Sequence, residues 1–149
     1  MNRFAAAALV GVVSVGATGA GYAVAAAGSA GPTPLGPGLV TLEVHTDYSQ
    51  FSIPSDLTVR EGTLVEFVVI NDDPINHELI IGDDDVHARH ESGTEVLHPP
   101  VPGEVSVGPG ERGVTTYLFD EAGTVRYACH LPGHAEYGME GAVRVVPSE

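Results

Sequence analysis

The chain has 149 residues, with 6 Arg, no Lys and 20 Asp or Glu, for a formal charge of -14. A phosphate backbone or an anionic lipid surface needs a basic face, so nucleic acid is excluded as the main partner and lipid headgroups are poorly matched. The lone Cys excludes an intramolecular disulfide and a paired-thiol redox motif, while 19 Gly and 11 Pro favour a turn-rich β protein over a helical bundle.

The charge divides the chain in two, because Arg3 is the only charged residue before Glu43. Residues 4–27 are uncharged, follow the basic start Met1-Asn2-Arg3, and lead to two small-residue cleavage sites, Ala25-Ala26-Ala27 and Gly28-Ser29-Ala30. Residues 1–30 therefore have the layout of a secretory signal. As a helix, residues 4–27 would reach about 36 Å, enough for a retained membrane anchor instead. Their Ala and Gly content is weakly hydrophobic, which favours cleavage. Either outcome places the protein in the periplasm, at the cell surface or outside the cell, with membrane contact only through a retained anchor. Residues 31–38, GPTPLGPG, read as a Pro/Gly linker, and residues 39–149 as one domain.

Within that domain Val40, Leu42 and Val44 alternate with Thr41, Glu43 and His45, a half-buried strand with His45 on its polar face. Residues 51–54 read as a short extended piece. Residues 57–59 and 63–71 read as strands around the turn Arg60-Glu61-Gly62, and within the second, residues 64–70 are apolar on both faces apart from Glu66. After an Asn-Asp-Asp-Pro turn comes a strand over 77–81. Residues 83–103 break the rhythm and read as an inserted loop with about one helical turn. Strands resume at 104–107, 114–119, 124–129 and 142–146. Short strands with frequent turns predict an all-β, antiparallel Greek-key sandwich or barrel.

The most informative stretch is residues 127–139, YACHLPGHAEYGM, which sets Cys129, His134 and Met139 at C-x4-H-x4-M. A thiolate, an imidazole and a thioether on one tight loop form a soft ligand set suited to copper, while zinc rarely accepts Met. A trigonal His₂Cys site with a weak axial Met is the blue-copper arrangement and needs one more His. Strand phase puts Val125, Tyr127 and Cys129 on one face and Arg126, Ala128 and His130 on the other. The second face reads as outward, which makes His130 a poor ligand. His77, between the apolar strand 64–70 and Leu79-Ile80-Ile81, is the best second His.

With these residues the chain resembles the cupredoxins, the plastocyanin/azurin-like blue-copper family, over about residues 39–146. The loop spacing is similar to azurin-like and rusticyanin-like members, since a plastocyanin would have its His at position 132, here Pro132. The resemblance implies a single type 1 copper, cycling between Cu(I) and Cu(II), held by His77, Cys129, His134 and Met139. It implies one-electron transfer with a redox partner, such as a basic cytochrome or an oxidase, and His134 as the electron port. Many electron-transfer members carry Asn after the first ligand His; here it is Glu78. The His-Glu pair and the His-bearing insert resemble exported cupredoxins associated with copper transport, buffering or tolerance, which is the alternative reading. With all four ligands supplied by protein, an enzyme is not expected.

In the insert, His87, His90 and Glu91 would share a face of a helical turn and could hold a second, weakly bound metal. The bland alternative is a solvated acidic loop. His98, before Pro99-Pro100, is a weaker candidate still.

Overall fold

A computed structural model of the protein describes residues 33–93 and 99–148. The expected signal or anchor, most of residues 1–32, and His98 lie outside the described residues. Among the described residues, nine strands and one helix follow in chain order: β1 (Gly38–Asp47), β2 (Gln50–Phe51), β3 (Thr58–Arg60), β4 (Thr63–Asn71), β5 (His77–Gly82), α1 (Asp84–Glu91), β6 (Glu104–Val107), β7 (Arg112–Phe119), β8 (Gly123–Ala128) and β9 (Glu140–Val146). They form two sheets, β2-β1-β4-β7 and β3-β9-β8-β5-β6.

Most pairings are antiparallel, but β1 runs parallel to β4 along its length and β3 runs parallel to β9. The first of these follows from the route of the chain. It leaves β1, crosses to the other sheet as β3, and returns as β4 in its original direction.

The core lies between the sheets. Val44, Val65, Phe67 and Val69 from one side meet Leu79, Ile81, Val105, Tyr127, Val143 and Val145 from the other. Phe67 and Phe119 meet edge to face with centroids 6.5 Å apart. Alternation decides which residues contribute, since every second side chain of a strand points to the same face.

β5 is buried along both faces. Its Leu79 and Ile81 enter the core, while Ile80 is fully buried outside that cluster, on the face that α1 covers. The insert is thus a two-turn helix and more than the single turn expected. The Asp83 carboxylate caps it by accepting from the Val86 N–H at 2.9 Å. Gly82 lets it approach, because a Cβ there would lie 2.9 Å from the Val86 side chain.

Asn71 ties the end of β4 to the turn that leads into β5. Its Oδ1 accepts from Thr46 Oγ1 at 2.9 Å and from the Asp73 N–H at 3.0 Å. Its Nδ2 donates to the carbonyls of Ile75, Val107 and Gly108 at 2.7, 3.1 and 2.9 Å. Asn71→Ala would leave these buried groups unpaired, so it should lower stability by about 3 kcal/mol. Urea unfolding should show a shifted midpoint at unchanged slope.

Candidate metal centre

β5 and β8 pair with Ile80 opposite Ala128 and Ile81 opposite Tyr127. Continuing that register places Leu79 opposite Cys129 and Glu78 opposite His130. Strand alternation then gives each pair its own face. His77 and Cys129 share the core face at one end of the sandwich, and Glu78 and His130 lie on the other.

The loop between β8 and β9 is built by backbone geometry. Cys129 N–H donates to the Met139 carbonyl at 3.0 Å, which closes the loop at its base. The His134 N–H donates to the Leu131 carbonyl at 3.0 Å across Pro132-Gly133, with Gly133 at φ +84°. Pro then left-handed Gly is the type II turn pattern. The Tyr137 and Met139 N–H groups bond back to Gly133 and His134, and Gly138 at φ +94° turns the chain out into β9. Met139 is fully buried at the loop base and His134 is partly exposed on its outer side.

His77, Cys129 and His134 converge, with one ligand atom from each lying within 4.8 Å of the others. Cys129 Sγ is 3.2 Å from His134 Nδ1, and the two imidazole centroids are 4.9 Å apart. His77 Nε2 lies 2.8 Å from the Asp73 carboxylate, so that carboxylate fixes the ring. The other nitrogen, Nδ1, is buried and has no hydrogen-bond partner among the described residues. A buried imidazole nitrogen without a partner is costly unless something binds it, and here it sits beside a thiol and a second imidazole. A thiolate-imidazole donor set of this kind fits copper.

Protonation follows from burial. Burial pushes the Cys129 thiol up to about 11, against the pull of the backbone N–H groups of Glu78 and Leu131. Burial, then repulsion from His77, lowers His134 and keeps it neutral. A neutral imidazole is the ligand form, whereas the thiol must lose its proton to bind metal.

A sequence model of the copper-binding proteins of the plastocyanin/azurin family matches residues 40–146. The chain belongs to that family. It is 36% identical over 105 residues to the copper-resistant cuproprotein CopI of Rubrivivax gelatinosus, and 30% identical over 105 residues to that of Vibrio cholerae. Each match covers 68% of this chain and only 63% and 62% of those relatives' lengths. The fold is similar to auracyanin A of Chloroflexus aurantiacus, a "blue" copper protein, with a TM-score of 0.57 and 25% identity over 73% of this chain and all of that one. Auracyanin of Roseiflexus castenholzii gives the same TM-score at 23% identity, covering 72% of this chain and 97% of that one.

In this cupredoxin the far face of β8 departs from the expected one. His130 does not project into solvent: its side chain is only 3% exposed because α1 covers it. Its backbone N–H donates to Glu78 Oε1 at 2.8 Å, so Glu78 joins the two ligand-bearing strands by a hydrogen bond. His87, also buried, points its Nδ1 at His130 Nε2, 2.8 Å away. Burial, then repulsion from His87, pushes His130 down to about 4. His87, His90 and Glu91 therefore do not form one solvent-facing ligand group. His87 meets His130, His90 Nε2 pairs with Glu104 at 2.9 Å, and Glu91 reaches Arg126 and His130.

Sequence reading missed Asp73 and Glu104, and it set His130 on an outward face. Asp73 carries a signal in hindsight, four residues before His77 in the same turn, whereas Glu104 carries none. Burial pushes the Asp73 carboxyl up, but N–H donation from Ser49, the His77 contact and the Tyr48 N–H together hold it below its ordinary value of 3.8. A carboxyl lowered in the folded state stabilises the fold above that ordinary value, and the contribution fades as pH falls through the folded one. With the metal removed, Asp73→Asn should be less stable than wild type at about pH 6, and the gap should close by about pH 2. Urea midpoints across that range check it.

Proposed function

We propose that this protein binds one type 1 copper ion through His77, Cys129 and His134, with Met139 as the weak axial donor, and serves copper tolerance outside the cytoplasm. The observation that carries the copper assignment is the buried, unpartnered His77 Nδ1 beside Cys129 Sγ and His134 Nδ1. Bound copper supplies a one-electron couple between Cu(I) and Cu(II). Asp73 holds the His77 ring in place for it. The N–H groups of Glu78 and Leu131 point at the Cys129 sulfur and stabilise its thiolate. The buried loop base keeps water from the sulfur, and partly exposed His134 gives the contact with an outside partner.

Two observations favour tolerance as the role: the curated relatives are named copper-resistant, and Glu78 stands where many electron carriers have Asn. A second reading is a shuttle between redox proteins. The charge of -14 favours it, since an acidic surface steers a basic cytochrome or a cationic patch of an oxidase. Deleting the gene should lower the host's copper tolerance, and a Cys129→Ser copy should fail to restore it. Unchanged tolerance, together with rapid electron exchange with a basic cytochrome, would favour the shuttle.

The centre itself is tested spectroscopically. The Cu(II)-loaded protein should show an intense visible thiolate-to-copper band that Cys129→Ser abolishes; a colourless wild type rejects the assignment. Met139→Leu should keep the band and raise the reduction potential, read by redox titration, because a weak donor to Cu(II) is lost. Because the thiol must give up its proton, apparent Cu(I) affinity should rise about tenfold per pH unit from about pH 7 to about pH 9. Competition with a chelator measures it, and Cys129→Ser should flatten the slope.

A further inference from the structure

We propose that His87 and His130 form a second metal site, a bis-imidazole seat for a copper(II) or zinc-like ion, on the face of β8 opposite Cys129. The site stands beside the type 1 reading and does not depend on it.

His87 Nε2 lies 3.3 Å from the Arg126 carbonyl, which can only accept, so this nitrogen carries the proton and Nδ1 carries the lone pair. His130 Nε2, 2.8 Å from that lone pair, donates to it, so in the metal-free protein an N–H···N hydrogen bond joins the rings and the His130 lone pair is on Nδ1, 3.9 Å from the Glu91 carboxylate. His87 thus already has the tautomer and the outer oxygen that hold a metal-binding imidazole, and an ion entering between the rings displaces the shared proton, which passes to solvent or to His130 Nδ1. The two inner nitrogens face each other 2.8 Å apart.

That spacing is close to a metal's requirement. Two cis nitrogens at about 2.0 Å from a tetragonal Cu(II) ion stand about 2.8 Å apart, and from a tetrahedral ion roughly 3.3 Å, so the rings need to open by at most about half an ångström. Both are mounted on fixed supports. His87 sits on the capped helix α1, and the His130 backbone is bonded to Glu78 at 2.8 Å. Paired imidazoles favour copper and zinc over magnesium or calcium. A cleft lined by His90, Glu91, Glu104, Arg126 and His130 reaches the His130 side of the pair and gives an ion its approach, while His87 lies behind it, buried. His90 is engaged with Glu104 and lies with its ring centroid 6.1 Å from that of His130; it flanks the site. Cys129 and His130 are consecutive residues, so the second ion would lie one peptide away from the thiolate.

The test uses the full chain with excess Cu(II), counting bound copper and recording the paramagnetic resonance spectrum. Wild type should bind two equivalents, one giving the thiolate band and one giving a tetragonal signal without it. His87→Phe should lose the second equivalent and its signal and keep the visible band, while His90→Ala should keep both. Wild type binding one equivalent, or His87→Phe still binding two, overturns the proposal and leaves the pair as packing between helix and sheet. Should His87→Phe fail to fold, wild type loaded with Cu(I) is titrated with Zn(II) under histidine-ring nitrogen NMR. Shifts at His87 Nδ1 and His130 Nε2 support the site, and their absence overturns it. Failure of the type 1 reading looks different: the visible band is then missing in every variant.

Discussion

The structure depends most on where the pairing of β8 with β9 stops. The two strands zip from Gly123 opposite Val145 to Ala128 opposite Glu140, and the Cys129 N–H to Met139 carbonyl bond is the last rung. Beyond it, the chain from 130 to 138 has to leave the sheet and come back to the same place. Two left-handed glycines, Gly133 and Gly138, make the return tight. Thiol and thioether are thereby placed at the base of one loop, with an imidazole midway along it. β5, hydrogen-bonded alongside β8, brings His77 to the same end of the core.

Two carboxylates support this end from opposite sides. Asp73 is held by the Tyr48 and Ser49 N–H groups at 2.9 and 2.8 Å, and it holds His77 in turn. Glu78, nearly fully buried, accepts from His130 and so fixes the strand that carries Cys129. An amide at this position could accept the same bond but would add no charge. The Glu78 carboxyl adds the smallest of the influences on the Cys129 thiol, after burial and the backbone N–H groups of Glu78 and Leu131. Glu78 therefore joins β5 to the chain just after Cys129.

Helix α1 changes what the far side of that sheet can do. Without it, Glu78, Ile80 and His130 would face water. With it, all three side chains are buried, His130 against His87, and a strand face that alternation marks as polar becomes a cluster of imidazoles and carboxylates. The cost of seating the helix so closely is met by Gly82, where any side chain would strike Val86.

The sequence alone determined the strand pattern, because alternation and turn residues are local, and it determined the C-x4-H-x4-M loop, because Pro132-Gly133 and Gly138 encode their own turns. It also pointed to His77, since a lone histidine between two apolar strand segments is out of place in a core. Tertiary structure alone decided the parallel pairing of β1 with β4, which depends on the crossover through β3. It also decided the environment of His130. Strand phase says correctly that this residue points away from Cys129, but phase carries no information about what covers a face. That was set by a helix whose residues lie about forty positions earlier in the chain, and by the 2.8 Å contact it makes between His87 and His130.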